Sequence, residues 1–252
     1  MKTSNKLLTG LVLLIFSFPL ILMMGFKAAV KNNHYVVRSN TGYKVSEPKE
    51  VKSFAAIKLN GIIEANDVRL KTFIRYGDKY SYFIKNYDRA NPEEGRTDSC
   101  RIRVIGDTLL IEYIPRMLDK INETNYSYGI EMDITIPHPV PVIANAANIT
   151  IDSSATALEA MNFELSAGSL NISPVATQNE HTSQTVFQEI TVNAHNASIE
   201  IGDHVKIKNL KLDLNGRSDI NFREASSIDT LSGHISDASF FNAPYRYSKF
   251  LK

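Results

Sequence analysis

Along the C-terminal half of the chain, apolar residues fall in pairs with one residue between them, and the pairs recur at nearly constant spacing. One series runs Leu170/Ile172, Ile199/Ile201, Ile220/Phe222 and Phe240, with steps of 29, 21 and 20 between first members. A second runs Phe163/Leu165, Ile190/Val192, Leu210/Leu212 and Leu231, with steps of 27, 20 and 21. The long step in both contains "SPVATQNEHTSQT" (173–185), which has the composition of an excursion loop. Outside that insertion every step is 20 or 21, a period near 20. Residues i and i+2 of a strand share a face, so each pair sends two side chains inward and its middle residue to water. The middle residues Glu164, Asn171, Thr191, Glu200, Lys211 and Asn221 are all polar. Two short strands per unit predict a parallel β-solenoid. Its corners are expected at Ala167-Gly168, His195-Asn196, Asn215-Gly216 and Ser236-Asp237, residue types that accept tight or left-handed backbone. An antiparallel sandwich shares the alternation, but the like register of the units favours the solenoid. The patch "SSATALEAMNF" (153–163) fits a short helix with Leu158 and Met161 packed, or an irregular first coil.

Upstream, the alternation predicts antiparallel hairpins. "FAAIKLNGIIEA" (54–65) places Ile57 and Leu59 on one face before an Asn60-Gly61 turn. "VRLKTFIRYGDKYSYFIKNY" (68–87) carries Leu70, Thr72, Ile74 and Tyr76 on one face and a Gly77-Asp78 turn, followed by Tyr80, Tyr82 and Ile84. "RIRVIGDTLLIEYI" (101–114) repeats the device around Gly106-Asp107. "YGIEMDITIP" (128–137) alternates Ile130, Met132, Ile134 and Ile136 until Pro137, Pro139 and Pro141, which cannot donate to a ladder, end it. An internal boundary is placed there, with a hairpin subregion at 51–142 and a solenoid subregion at 143–252.

The N-terminus has a different texture. Residues 7–26, "LLTGLVLLIFSFPLILMMGF", carry no charge. As a helix at ~1.5 Å per residue they span ~30 Å, the thickness of a bilayer's hydrocarbon core. Pro19 is tolerated in a membrane helix. The run is longer than a signal peptide's apolar region and continues into "GFKAAVKNN" rather than a small-x-small cleavage site, which favours a retained anchor. The expected order is a cytoplasmic tail (1–6), a transmembrane helix (7–26), a polar stalk or linker (27–50) and an exported all-β region. The lipid bilayer is thus a partner through residues 7–26. The protein is expected in a bacterial cell membrane as a single-pass protein, with its C-terminal domain in the periplasm.

The segments "VKSFAAIKLNGIIEA" (51–65), "VIGDTLLIEY" (104–113) and "IEMDITIPHPVPVI" (130–143), in that order and followed by the repeat, resemble the auto-transporter adhesin head domains, also called GIN domains, of bacterial envelope proteins. The resemblance covers residues 51–252 and implies a fold similar to β-helical surface proteins. It brings no functional residues with it. The chain departs from the family after Pro141, where "ANAANITIDSSAT" replaces a Gly- and Ser-rich stretch.

Composition narrows the function. The 252 residues carry a formal net charge of +1, which gives no bulk attraction to nucleic acid. Cys100 is the single cysteine, so disulfides within the chain and cysteine-based metal sites are both excluded. The six histidines show no His-x-x-x-His pair, and His195, Asp203 and His204 would converge only through the coil. Asp213, Asp219, Glu224 and Asp229 are the carboxylates a polysaccharide-cleaving β-helix would use, yet outward charges of this kind ordinarily solubilise. Tyr76, Tyr80, Tyr82 and Tyr87 are either a binding strip or half-buried strand residues. Asn-x-Ser/Thr triplets at Asn122, Asn125, Asn148, Asn171 and Asn196 read as outward or corner positions. No catalytic, cofactor-binding or metal residue is assigned, and no enzyme activity is expected. The expected role is a membrane-anchored binding or interaction module for an envelope protein or glycan. The alternatives are a polysaccharide-active β-helix enzyme and a structural or signalling partner of a membrane complex.

Overall fold

The computed structural model describes residues 43–45, 47–64, 67–87, 99–115, 129–152, 158–173, 185–244 and 247. All belong to the second of the chain's two units, Gly42–Lys252. The span 7–26 therefore lies outside the described residues, and among those that are described no helix is long and apolar enough to cross a membrane. They are all-β, and their sheet is mixed.

Two long strands organise the unit. These are β11 (Val142–Asp152) and β12 (Leu158–Ser173), each bent into two arms by residues in the left-handed region, Ala146 (φ 50°) in β11 and Ala167 (φ 63°) with Gly168 (φ 86°) in β12. They pair in parallel along both arms at one constant offset, with Val142 beside Phe163 and Ile149 beside Leu170. Later units repeat this shape as separate strands. First arms are β13 (Thr185–His195), β15 (Val205–Asn215) and β17 (Ser227–Ile235). Second arms are β14 (Ser198–Ile201), β16 (Asp219–Phe222) and β18 (Phe240–Asn242). Every pairing among these is parallel, giving the ladders β11-β12-β13-β15-β17 and β11-β12-β14-β16-β18.

The same ladders continue toward the N-terminus. The first takes in β3 (Ala56–Asn60) and β9 (Thr108–Ile114), both parallel, and ends on β8 (Ser99–Ile105), antiparallel to β9. The second takes in β6 (Leu70–Tyr76) and β10 (Ile130–Ile136), both parallel, and ends on β7 (Ser81–Tyr87), antiparallel to β10. Two short strands at the end of the stretch read as a linker, β1 (Tyr43–Val45) and β2 (Lys49–Glu50), pair antiparallel with β7. The pair β4 (Ile63–Glu64) and β5 (Asp67–Val68) stands apart as a small excursion between β3 and β6.

Three local expectations are corrected. Asn60-Gly61 is not a hairpin turn: the Gly61 N–H donates to the Asn145 carbonyl (2.8 Å), so β3 and β6 are the two arms of one unit, stacked on the two arms of β11. Gly77-Asp78 does not close a hairpin either, because β10 inserts between β6 and β7. Of the three expected hairpin turns, Gly106-Asp107 alone joins neighbouring antiparallel strands, with Ile105 opposite Thr108 and Gly106 at φ 60°. Residues 158–163 are strand rather than helix, with Met161 and Phe163 turned into the core.

The core is the space between the arms. Ile57, Val142, Phe163, Val192 and Leu212 form one inward row of buried residues, and Ile149, Leu170, Ile199 and Ile220 form another. Corners are held by short side chains. The Asn196 Oδ1 accepts from the Arg217 N–H (2.9 Å), and the buried Ser218 hydroxyl donates to the Asn215 carbonyl (2.7 Å) while accepting from the Ala197 N–H (3.3 Å). At the preceding corner a Cβ on Gly168 would lie 2.1 Å from the Ala147 carbonyl oxygen, so the stacked backbones require glycine there.

This packing has a measurable signature. Ile199 is fully buried between Leu170 and Ile220, so Ile199→Ala is expected to cost about 2–5 kcal/mol in urea unfolding. Glu200, one residue on, faces outward and pairs with Arg223 (2.6 Å) at the surface, so Glu200→Ala is expected to cost below about 1 kcal/mol. Equal costs at the two positions would contradict the inward and outward assignment.

Candidate functional site

The parallel ladders leave two outward faces, and the sequence writes them differently. On the first-arm face the residues between the buried ones stack in polar rows. Glu164, Asn193, Asp213 and His234 are successive neighbours, as are Asn145, Ser166, His195 and Asn215, and all eight are exposed. Neighbours along a row are ~4.8 Å apart, the strand spacing, so each row is a straight line of amide, hydroxyl, carboxylate and imidazole groups. The described internal contacts here are few. Asn215 Nδ2 donates to Asp213 Oδ1 (3.0 Å) and Lys211 pairs with Glu189 (3.0 Å). Such a face can hydrogen-bond an extended partner along several strands at once, and it is the candidate functional site.

The second-arm face is spent largely on itself. Ser198 donates to Asp219 (2.8 Å), Ser169 to Asn148 (2.9 Å) and Asn242 to Asn221 (3.0 Å). At its β6-β10-β7 end lies a charge cluster. Asp133, 1% exposed, sits in register between Phe73 and Phe83. Arg75 Nη2 lies 3.2 Å from its Oδ2, and Lys85 Nζ lies 3.5 Å from its Oδ1 and 3.4 Å from Glu131. The Lys85 ammonium is also 5.7 and 5.4 Å from the centroids of the Phe73 and Phe83 rings. The rings exclude water from the carboxylate while the two cations, 41% and 27% exposed, compensate its charge. The cluster ties β7 and β6 together across β10. Sequence reasoning missed it, because Asp133 occupies what the alternation marks as an outward position. The one available signal was that Arg75, Lys85, Glu131 and Asp133 share that outward phase on three apolar strands.

The residues singled out from sequence are dispersed. His195 ends β13 at one corner, while Asp203 and His204 occupy the corner at the far end of β14. There the Asp203 Oδ1 accepts from the Ala225 N–H (2.9 Å). Among the described residues no group of three or more His, Cys, Asp or Glu is placed to hold a metal ion. Asp213, Asp219 and Asp229 engage three separate partners, Asn215, Ser198 and Lys206. Among the described side chains the tyrosines are half-buried strand and turn residues rather than an exposed strip. Tyr76, Tyr80 and Tyr82 pack against the core, Tyr76 donating to the Met161 sulfur (2.8 Å) and Tyr80 hydrogen-bonded to His138 (2.9 Å), while the side chain of Tyr87 lies outside the described residues. Burial raises the Tyr76 phenol well above its ordinary range. Cys100 is half-buried in β8 against the core, and burial pushes its thiol up to about 11, which leaves little reactive thiolate near neutrality. Asn122 and Asn125 lie outside the described residues.

Neither a family model nor a curated protein matches the chain. Solved structures similar to it include an adhesin candidate from Bacteroides fragilis, at 13% identity and TM-score 0.38, covering 81% of this chain and 98% of that one. A cell adhesion protein candidate from Clostridium sporogenes is similar at 11% identity and TM-score 0.31, covering 76% and 100%. A lipid binding protein candidate from Parabacteroides distasonis is similar at 9% identity and TM-score 0.28, covering 81% and 98%. Similarity of this degree assigns no function to this chain.

Removing the negative charge of the cluster tests its role. Asp133→Asn leaves Arg75 and Lys85 without their shared counter-charge. Because both reach solvent, the expected loss in urea unfolding is about 1–3 kcal/mol, well short of a fully buried unpaired charge. A change within about 0.5 kcal/mol, the range of ordinary surface substitutions, would remove the cluster from the account.

Proposed function

We propose that the chain is a membrane-anchored protein of the bacterial cell envelope whose β-solenoid, resembling an adhesin head or GIN domain, acts as a binding module. Residues 7–26 form its single transmembrane anchor, and the region beyond them lies on the periplasmic side. The solenoid reading is supported by the two ladders, in which every pairing from β11 to β18 is parallel and the register offset is nearly constant outside one longer step. That longer step, from β12 to β13 and β14, holds the excursion loop. The observation that carries the binding reading is the first-arm face. It is broad, exposed and lined with straight rows of hydrogen-bonding groups, as a polymer or a protein partner requires. The polysaccharide-cleaving reading is weaker, because its carboxylates sit with separate partners rather than as a facing pair.

Capture experiments address this directly. The full chain, solubilised in detergent, is expected to retain a component of the envelope fraction or isolated peptidoglycan. Asn193→Arg with Asn215→Arg, which places two bulky cations on adjacent rows, is expected to weaken that retention at least about tenfold, ~1.4 kcal/mol, with unfolding unchanged. Equal retention by the double variant, or none by the parent chain, would reject the binding reading. Protease digestion of residues 27–252 in spheroplasts, but not in intact cells, is the expected outcome for export.

A further inference from the structure

Two Asn-Gly pairs occur in the chain, Asn60-Gly61 and Asn215-Gly216. Such a pair can rearrange with water as the only reagent. The glycine nitrogen attacks the asparagine Cγ, ammonia leaves, and water opens the resulting five-membered imide to aspartate or isoaspartate. The step needs a glycine N–H that is not already committed. It also needs stabilisation of the negative charge that loss of this proton spreads onto the asparagine carbonyl oxygen.

The fold treats the two pairs oppositely. The Gly61 N–H donates to the Asn145 carbonyl (2.8 Å), and a Cβ on Gly61 would collide with the Ala146 carbonyl, so this nitrogen is held between stacked backbones. Among the described residues the Gly216 N–H has no hydrogen-bond partner. The Asn215 carbonyl oxygen, by contrast, accepts twice, from the Ser218 hydroxyl (2.7 Å) and from the Asn196 N–H (3.2 Å). Two donors aimed at an oxygen that gains charge make the charged state easier to reach. Ser218 is fully buried, which keeps its hydroxyl on that oxygen. The Asn215 side chain is exposed, with Nδ2 donating to Asp213 Oδ1 (3.0 Å), so water has access to the attacked carbon. Glycine is required at 216, where a Cβ would collide with the Asn196 side-chain oxygen. The corner therefore retains the reactive pair.

We infer that Asn215 is a self-modification site, converted to aspartate or isoaspartate with the help of its own corner, while Asn60 is protected by its backbone pairing. The Gly216 nitrogen gives its proton to water and bonds to Asn215 Cγ. The Cγ–Nδ2 bond breaks, and Nδ2 takes a proton from water and leaves as ammonia. Water then adds to the imide, giving aspartate if the new N–Cγ bond opens and isoaspartate if the original peptide bond does. The product replaces an amide that donates and accepts with a carboxylate that only accepts. It lies on the same face as Asp213 and beside His195 in the row. The consequence for function rests on the binding reading of the first-arm face: the row loses donors and gains negative charge, so conversion weakens its hold on a partner.

The test follows the full chain in detergent at mildly alkaline pH, with conversion at each pair read by peptide mass and isoaspartate labelling, and the fold by circular dichroism. In the folded chain Asn215 is expected to convert at least about tenfold faster than Asn60, because one corner supplies donors and the other withholds the nitrogen. In urea the two pairs are expected to convert at like rates. Ser218→Ala removes one donor and is expected to slow conversion at 215 at least about tenfold. The comparison of folded and unfolded parent chain carries the test if that variant fails to fold. Equal rates at the two pairs in the folded chain, folding that slows 215 as it slows 60, or a folded Ser218→Ala chain that converts as fast as the parent would each overturn the inference. These rates are read on the chain alone, so they stand apart from the binding reading. Converted chain is expected to retain the envelope component at least about tenfold less than fresh chain, and equal retention would overturn the consequence for the face.

Discussion

The structure depends on one constraint: parallel backbone pairing must repeat while the inward rows stay predominantly apolar, with Thr72 of β6 a buried polar member. In a parallel ladder each strand's hydrogen bonds fix its register against the strand before it, so a slip by one residue would turn a whole apolar row outward. The register of successive units keeps Leu170, Ile199 and Ile220 in one buried line. Corners follow from the same demand. Two arms can enclose a core only if the chain turns sharply between them. Ala146, Ala167, Gly168, Asn196 and Gly216 accept the left-handed backbone this takes, and Asn196 and Ser218 satisfy the polar groups that the turn leaves over.

Much of this was legible in the sequence, and the errors have physical causes. The paired apolar positions, the polar residues between them and the corner at Gly168 were all readable, because period-two alternation reports facing directly. Alternation does not report register beyond evenness. The sequence spacing set Ile190 on Phe163, whereas the structure sets Val192 there and Ile190 on Met161. A shift of this kind, from one inward position to the next, leaves every side chain on the same face, so no hydrophobic pattern could have revealed it. At the last unit the doublet Phe240-Phe241 offered two phases. A turn in which the Ser239 N–H donates to the Ser236 carbonyl (2.9 Å) sets the register, so Phe241 rather than Phe240 lies beside Ile220. The two misassigned hairpins have a different cause. Asn-Gly and Gly-Asp mark a turn, but which strand lies across it is decided by tertiary pairing, and β11 and β10 compete successfully for β3 and β6.

The charges divide along the same lines. Where the outward phase of β6, β7 and β10 carries Phe73 and Phe83 as well as charge, the ions are drawn into a shielded cluster around Asp133. Along the first-arm ladder the outward phase carries asparagine, serine, histidine and isolated acids, and these remain open to solvent. A regular exposed face and a self-satisfied one thus arise from the same backbone, and the difference is set by which side chains occupy the alternate positions. The face proposed for binding is the one that the core does not need.

The measurement that bears most directly on the account is the set of backbone proton contacts seen by NMR between successive units. Contacts linking Leu170 to Ile199, Ile199 to Ile220 and Ile220 to Phe241, all with strands running in the same direction, are the predicted result. Contacts that pair these segments antiparallel, or that place Phe240 rather than Phe241 against Ile220, would contradict it.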